Sequence, residues 1–587
     1  MGSFIGHPGL VPKAVEARPY QLQALDEALS CSMLLVLPTA AGKTAVAWMA
    51  IAESLENHGG WVLFVAPTVA LVNQHLESTL PVLCNIEDVN PISLSGQQPA
   101  AKRRELWGSS RLVFATPQVV RNDVLKGALT LSDCSLMVVD EAHHCTGDHA
   151  MSQAAELYLD HAENPQILAT TASPGSKRAQ VEEVCERLGI QRVHLRTPED
   201  PMMSEYLSSL EVTEMKVEVP EQIWGIAEPF RIWQQGIVDR EKRLGRYVMP
   251  GAITYAGLAN AMDRAQAAIS RGENSAYRSS SQIATAMRIH YLINHLLCQG
   301  IAASRQFLRR MEEEGSKSRS AKDFLRDPRV RQLSTRLGGM EEIHSKVGAV
   351  RRLVRERLRR DRESRVIVFA NYRDTVEALD GALEGLEEAR PLQFIGQSSR
   401  GSSGGLTPKQ QISRMGEFRS GSANVLVATS VGEEGLDIPS ADLVIFYEPV
   451  SSEIRTIQRR GRTGRRREGS VVVLIAEGTR DEGARAAATR REEYMHRAVR
   501  RVSRSLEGAP HNDLENLNKF VVARGDEVVS AAEFVLEARG RHSSVLASND
   551  ESESSEQEGA LVSRADPESL RPRGQTGLEQ FPPDREG

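Results

Sequence analysis

The segment Leu37-Pro38-Thr39-Ala40-Ala41-Gly42-Lys43-Thr44 constrains this chain more than any other. It directly follows an apolar β-type run, Met33–Leu37, and leads into a helical run, Ala45–Leu55. A Gly-Lys-Thr turn between a buried strand and a helix is a phosphate-binding loop, in which backbone N–H groups and the helix N-terminus cradle anionic oxygens. Thr39, Ala40, Ala41 and Gly42 would wrap the phosphates, Lys43 would reach the β- and γ-phosphates of ATP, and the Thr44 hydroxyl would hold Mg2+. The standard pattern has glycine where Leu37 stands, and Ala40 fits its position only with a negative φ. Taken alone, the segment competes with a chance Gly-Lys-Thr at a strand–helix turn.

The surrounding rhythm bears on that choice. From 15 to 212, short apolar runs (Met33–Leu37, Trp61–Ala66, Arg111–Ala115, Leu136–Val139, Gln166–Ala169) alternate with helical patterns. Strands apolar on both faces belong to parallel sheets covered by helices, so this stretch predicts a doubly wound α/β domain preceded by an arm, 1–14. After a strand-like stretch, Glu211–Val219, the pattern becomes helical to 345, and residues 221–340 hold 19 Lys/Arg against 11 Asp/Glu. A solvated helical surface is the plain reading of that excess. The α/β rhythm returns over 346–500 with Arg365–Phe369, Gln393–Ile395, Val425–Ala428, Leu443–Tyr447 and Ser470–Ile475. Residues 501–540 read as a helical extension. Residues 541–587, with ten acidic and five basic residues, bury too little apolar surface to fold and read as a disordered acidic tail. The fold class expected is α/β, two parallel-sheet domains with an all-helical insert between them.

The 587 residues carry a formal net charge of −6, so any basic surface is local. Six scattered cysteines without a C-x-x-C pair read as reduced thiols of an intracellular protein. Cys145 with His143, His144 and His149 matches no usual zinc spacing. No apolar run approaches the ~18 residues of a membrane span, and the N-terminus lacks a secretory pattern. A soluble, cytoplasmic protein is expected, nucleoid-associated if prokaryotic, with no membrane partner.

A second constellation supports the first. The run Leu136–Val139 ends in Asp140-Glu141-Ala142-His143. A carboxylate at the C-terminal edge of a parallel strand lies where ligands bind. Asp140 can hold Mg2+ and Glu141 can orient and deprotonate an attacking water.

Here the chain resembles the superfamily 2 helicases, whose domains are RecA-like. Asp140 to His143 is similar to their motif II. Arg18-Pro19-Tyr20-Gln21 resembles the adenine motif, with Gln21 reading the adenine edge and Arg18 stacking on the ring. Ala66-Pro67-Thr68 resembles motif Ia and Ala115-Thr116-Pro117-Gln118 motif Ib, which implies backbone contacts from Thr68, Thr116 and Gln118. Thr171-Ala172-Ser173 resembles motif III, which implies that Thr171 and Ser173 couple hydrolysis to domain movement. Asn371 lies in a likeness of motif IV. Ala428 to Pro439 resembles motif V, in which Thr429 would touch a nucleic-acid phosphate while Gly435 and Asp437 face the nucleotide. Gln458-Arg459-Arg460-Gly461-Arg462-Thr463-Gly464-Arg465 resembles motif VI, so Gln458, Arg462 and Arg465 would serve catalysis, the arginines at the γ-phosphate.

Within the superfamily, Val427–Pro439, Phe446–Arg455 and Gly478–Glu482 look like the branch of archaeal Hef and the Fanconi-anaemia M helicase. The resemblance implies ATP and Mg2+ as cofactors, forked or branched DNA as substrate with a single-stranded tracking strand, 3′-to-5′ movement and a role in replication-fork repair. It also implies that the insert engages branched DNA. The Glu-Arg-Lys-x-x-x-Asp nuclease core of Hef is missing, so a motor without nuclease activity is expected, with a nuclease or repair partner docking on 501–587. Three alternatives stay open at this point: a duplex-RNA-directed ATPase of the Dicer and innate-sensor type, a non-enzymatic DNA scaffold, and a translocase that does not separate strands.

Overall fold

The computed structural model describes residues 2–38, 41–57, 59–198, 200–206, 212–314, 319–395, 406–429, 441–449, 470–506 and 513–541. The first domain is built on seven parallel strands: β2 (Met33–Val36), β3 (Trp61–Val65), β4 (Ile92–Leu94), β5 (Leu112–Ala115), β6 (Cys134–Asp140), β7 (Ile167–Thr171) and β8 (Arg192–Leu195). Their order is β4-β5-β3-β6-β7-β2-β8. Alternate residues face opposite sides of a strand, and both sides are apolar. Met33, Leu35, Phe64, Phe114, Leu136 and Leu168 enter one core, while Leu34, Val36, Leu63, Val113, Met137 and Ala169 enter another.

Six parallel strands form the second sheet: β9 (Val212–Val217), β10 (Val366–Ala370), β11 (Pro391–Phe394), β12 (Val425–Thr429), β13 (Leu443–Phe446) and β14 (Ser470–Ala476), in the order β11-β12-β10-β13-β14-β9. β9 lies inside the range expected to open the insert. It belongs to the second sheet instead, because Val212 to Val217 pair in register with Val471 to Ala476 of β14. That edge position explains its alternating, half-exposed sequence.

Between β9 and β10 the chain is helical, with its own core around Ile223, Phe230, Ile289, Leu296 and Leu333. It is fastened to the second domain by buried polar groups. A π-helical turn, His295–Gln299, ends at Gly300, whose φ of 110° suits glycine. The Gln299 carbonyl accepts from the Tyr447 hydroxyl at 2.8 Å, and its side chain accepts from Thr375 at 2.8 Å. The helix that follows, Ser345–Arg360, belongs to the second domain's core: its Lys346 is fully buried, donates to the Tyr447 carbonyl at 2.6 Å and pairs with Asp481.

The chain ends carry a sheet that their sequence did not signal. The stretch 501–540 is not simply helical: β15 (Val521–Arg524) and β16 (Glu527–Ser530) form a hairpin. Val521, Val522, Val528 and Val529 are β-branched, and Gly525 supplies the positive φ, 61°, that a two-residue turn needs. The 1–14 arm is likewise committed, since β1 (Ser3–Gly6) pairs antiparallel with β15.

This three-stranded sheet docks on the first domain. Phe520, Val522 and Phe534 join the first of its two cores. His7 stacks on Phe520 at 4.3 Å. It accepts from the Gly9 amide at Nδ1 and so donates from Nε2 to Glu53 at 2.7 Å. Asp26, also buried, accepts from the amides of Leu514 and Asn516. The opposite core receives Met495, Ala498, Val499 and Val502 from the helix Arg480–Ser505. That helix starts in the second domain and returns the chain to the first.

Two stability outcomes follow from this packing. Phe520→Ala lowers unfolding free energy by about 3–5 kcal/mol, read by urea denaturation, whereas Val528→Ala at a position 63% exposed changes it by no more than about 0.5 kcal/mol. Lys346→Met strands the buried Asp481 carboxylate and costs about 3–5 kcal/mol in the same assay.

Candidate functional site

Parallel strands send their C-terminal ends to one edge, and the candidate residues collect there. β2 lies between β7 and β8, and β6 lies beyond β7. The register Val36↔Thr171 and Asp140↔Thr170 brings the phosphate loop, Asp140 and the Thr171-Ala172-Ser173 turn together.

The loop itself is held from behind. Helix α1 (Pro19–Ser30) presents Tyr20 and Gln21, and both donate to the Ala41 carbonyl, at 2.8 and 2.9 Å. Gly42 has φ 82°, and a Cβ there would lie 2.0 Å from the Gln21 amide nitrogen. Only glycine fits. Helix α2 (Lys43–Asn57) begins at the next residue, placing Thr44 in its first turn. The Lys43 ammonium donates to the Leu37 carbonyl at 3.3 Å.

Gln21 therefore commits its amide N–H to the loop, which leaves its oxygen as the group able to meet an adenine amine. Arg18 pairs with Glu16 at 2.7 Å, and its guanidinium lies 6.0 Å from the Tyr206 ring.

Asp140 is bonded at both oxygens. Thr170 donates to Oδ1 at 2.6 Å, and His75 Nε2 lies 2.8 Å from Oδ2. Burial pushes this carboxyl up, but His75, Thr170 and the charge of Lys43 outweigh it and hold the group below its ordinary range. Glu141 sits in the left-handed region, φ 53°, a costly conformation for a side-chain-bearing residue. It is one-third exposed and lies 3.3 Å from His143 Nδ1, which also approaches the Thr171 hydroxyl at 3.3 Å. The Thr171 hydroxyl in turn accepts from the Ser173 amide. The Asp-Glu-Ala-His turn and the Thr-Ala-Ser turn thus share one hydrogen-bonded chain.

The candidate nucleic-acid contacts lie along the same strand ends. Thr68 follows β3 and caps helix α3 (Val69–Thr79), accepting from Leu71 N at 3.3 Å. Thr116 follows β5 and is buried, and Gln118 is exposed. On the second sheet, Asn371 follows β10, and its amide donates to buried Glu448 at 3.0 Å. Burial raises the Glu448 carboxyl to about 7 against the opposing charge of Lys346. Thr429 ends β12, and its buried hydroxyl has no partner among the described residues. Thr39, Ala40, Gly435, Asp437, Gln458, Arg462 and Arg465 lie outside the described residues.

No group of three or more metal-ligating side chains occurs among the described residues. Burial raises the Cys145 thiol to about 12. No helix among the described residues is long and apolar enough to cross a membrane.

Sequence reasoning missed Tyr20, His75, Thr170 and Glu448. Tyr20 and Thr170 each adjoin a residue that was singled out. His75 and Glu448 act through space and leave no local pattern.

Comparison with known proteins agrees with this geometry. The DEAD/DEAH box helicase model matches 18–181 and the helicase conserved C-terminal domain model matches 345–467. A model described as "Putative ATP-dependent RNA helicase, helical bundle" matches 252–344. The crystal structure of the Pyrococcus furiosus Hef helicase domain is similar with a TM-score of 0.63 and 33% identity, covering 80% of this chain and 98% of that one. The chain belongs to the superfamily 2 helicases. Among other helicases, a Methanocaldococcus jannaschii protein with an RNA-helicase description is 35% identical over 85% of this chain and 62% of its own length. The ATP-dependent DNA helicase fml1 of Schizosaccharomyces pombe is 30% identical over 80% of this chain and 58% of its own. The mouse Fanconi anemia group M protein homolog is 29% identical over 88% and 28%. The chain spans about three-fifths or less of the length of these three relatives.

As a member of this family the chain carries the DEAD/DEAH box and the conserved C-terminal helicase domains. A Cβ at Gly42 meets the Gln21 amide on a left-handed backbone, so Gly42→Ala displaces either Gln21 or the loop. A misplacement of this size costs on the order of 100-fold in rate. ATP hydrolysis by the variant is expected to fall by about that factor, with the thermal midpoint as a control for folding.

Proposed function

We propose that this protein is an ATP-driven motor that unwinds or remodels forked and branched DNA. The observation that carries this reading is its 33% identity to the Hef helicase domain across 98% of that domain. The names of two relatives, an ATP-dependent DNA helicase and a Fanconi anemia group M protein, support DNA as the track.

In this reading ATP sits on the loop 39–44, with Lys43 at the β- and γ-phosphates and Arg18 and Gln21 at the base. Thr44 and Asp140 hold Mg2+. A hydroxyl and a carboxylate are hard oxygen donors of the kind Mg2+ takes, and Asp140 is held ionised, so the residues fit the ion. The metal would neutralise phosphate charge. Glu141 orients the attacking water, Arg462 and Arg465 reach in from the second domain with Gln458, Gly435 and Asp437, and Thr171 and Ser173 relay the change.

Nucleotide bridging the two domains closes the cleft, and hydrolysis with release opens it. Thr68, Thr116 and Gln118 grip the strand from one sheet, Asn371 and Thr429 from the other. Alternating grip then moves the protein 3′-to-5′, and the basic insert holds the branch. The setting is fork repair at the nucleoid or its equivalent. A nuclease or repair partner docks on 501–587, of which Phe520, Val522 and Phe534 are packed on the first domain.

RNA is the second reading, favoured by the description of the helical-bundle model and of the archaeal relative. ATP hydrolysis by the wild type and Glu141→Gln is measured with no nucleic acid, forked DNA, single-stranded DNA and duplex RNA at one salt concentration, since backbone binding is salt-dependent. The expected result is stimulation mainly by forked DNA, lost in the variant. Arg462→Ala or Arg465→Ala lowers the stimulated rate by roughly 10³–10⁵. Stimulation mainly by duplex RNA moves the substrate to A-form helices, and hydrolysis unchanged in Glu141→Gln overturns the assigned chemistry.

A further inference from the structure

We propose that His75 is a positioning residue of the ATP site, which orients the Asp140 carboxylate and ties it to the helix that Thr68 caps. The proposal rests on the assignment of Asp140 to the metal and of Thr68 to the strand. Its evidence is geometric. His75 is 7% exposed and lies on α3, seven residues after Thr68. Its Nε2 faces Asp140 Oδ2 at 2.8 Å, and a carboxylate oxygen there requires that nitrogen to carry the proton and donate. The other Asp140 oxygen is fixed by Thr170, so the two donors together set the rotation of the carboxylate.

His75 is itself held on three sides. Its ring packs on Phe64 of β3 at 4.5 Å. Its carbonyl accepts from the Thr79 hydroxyl at 2.6 Å, and that hydroxyl accepts from Trp48 Nε1 at 2.9 Å. Trp48 lies on α2, the helix that begins with Lys43. The imidazole is therefore anchored to the phosphate-loop helix at its backbone and to the carboxylate at its ring.

Along α3, Thr68 and His75 are about 10 Å apart, and a helix that short transmits a shift of its N-terminus to its second turn. A strand phosphate drawn to Thr68 and the N-terminus of α3 would thus move the donor that orients Asp140. Packing alone would be served by an apolar side chain at 75. A donor aimed at a metal-facing carboxylate is the arrangement by which groups behind a ligand tune metal binding, and losing one costs about 10–100-fold in metal affinity or activity.

The test uses the full chain and the variants His75→Ala, His75→Gln and Asp140→Asn. Mn2+ binding is followed by electron paramagnetic resonance in the presence of a non-hydrolysable ATP analogue, with and without forked DNA. The DNA-stimulated to basal ATPase ratio, DNA affinity and thermal midpoint are measured alongside. His75→Ala is expected to weaken Mn2+ binding about 10–100-fold and to depress the stimulation ratio, with DNA affinity within about twofold. His75→Gln, which restores a neutral N–H donor, is expected to recover most of both. If His75→Ala also melts early, the glutamine variant decides: recovered stability without recovered Mn2+ binding or stimulation overturns the proposal and leaves His75 a packing residue. Wild-type Mn2+ binding in His75→Ala overturns it as well. Unchanged Mn2+ binding in Asp140→Asn instead removes the metal assignment of Asp140, and the proposal with it.

Discussion

A parallel sheet must be covered on both faces, and in the first domain much of that cover arrives from the far end of the chain. One face is sealed in part by Phe520, Val522 and Phe534, the other by Met495, Ala498, Val499 and Val502. Each fully buried side chain of this size contributes about 1.5–3 kcal/mol, so these residues are a substantial part of what holds the phosphate loop's own sheet together. The domain that begins the chain cannot complete its cores until residues beyond 490 have returned to it. N-terminal residues take part as well, since β1 pairs with β15 and His7 stacks on Phe520.

On that sealed scaffold the polar groups of the site are committed with little freedom. Asp140 has a donor at each oxygen, Gln21 and Tyr20 converge on one carbonyl, and Gly42 leaves no room for a side chain. Glu141 pays the cost of a left-handed backbone, the kind of strain that persists only where neighbours over-determine it. Its neighbours do so here, as His143 links it to Thr171 and Thr171 to the Ser173 amide. In the proposed reaction, preorganised groups of this kind would need little rearrangement as charge develops on the phosphate.

Much of this was legible in the residues. The ten apolar runs read as strands are strands, with bounds shifted by one or two residues, because two-sided burial writes itself as unbroken apolar sequence. β9 was seen as a strand but given to the insert, since nothing in Val212–Val217 reveals a partner more than 250 residues away. β4 and β8 were missed because they are three and four residues long, and β8 carries His194 and the half-buried Arg192. The 521–530 hairpin was missed because its valines sit among charged residues between helical patterns. The site followed the same division. Lys43, Asp140 and Glu141 lie in contiguous motifs, while His75 and Lys346 act across space, from helices whose local sequence looks ordinary. A buried lysine on a helix otherwise rich in arginine cannot be told from its solvated neighbours until Asp481 is placed beside it.

The same packing decides where the molecule can give. The insert is fastened to the second domain through Gln299, Thr375 and Tyr447, so the two travel together. The helix Arg480–Ser505 is fastened at both ends: Asp481 is buried against Lys346 and the Ala476 amide, and Met495 to Val502 are buried against the first domain. Between those anchors, residues 482–494 contribute no buried side chain among those described, over ~20 Å of helix. Close-packed ends resist deformation, because any void or overlap there costs free energy, whereas bending the helix in this span disturbs its own hydrogen bonds and the part-exposed ion pair of Arg485 with Glu214 at 2.5 Å. In the proposed cycle, relative movement of the two domains is therefore cheapest in this span, and the helix that completes the first domain's core is the element that would carry the second domain's pull to it.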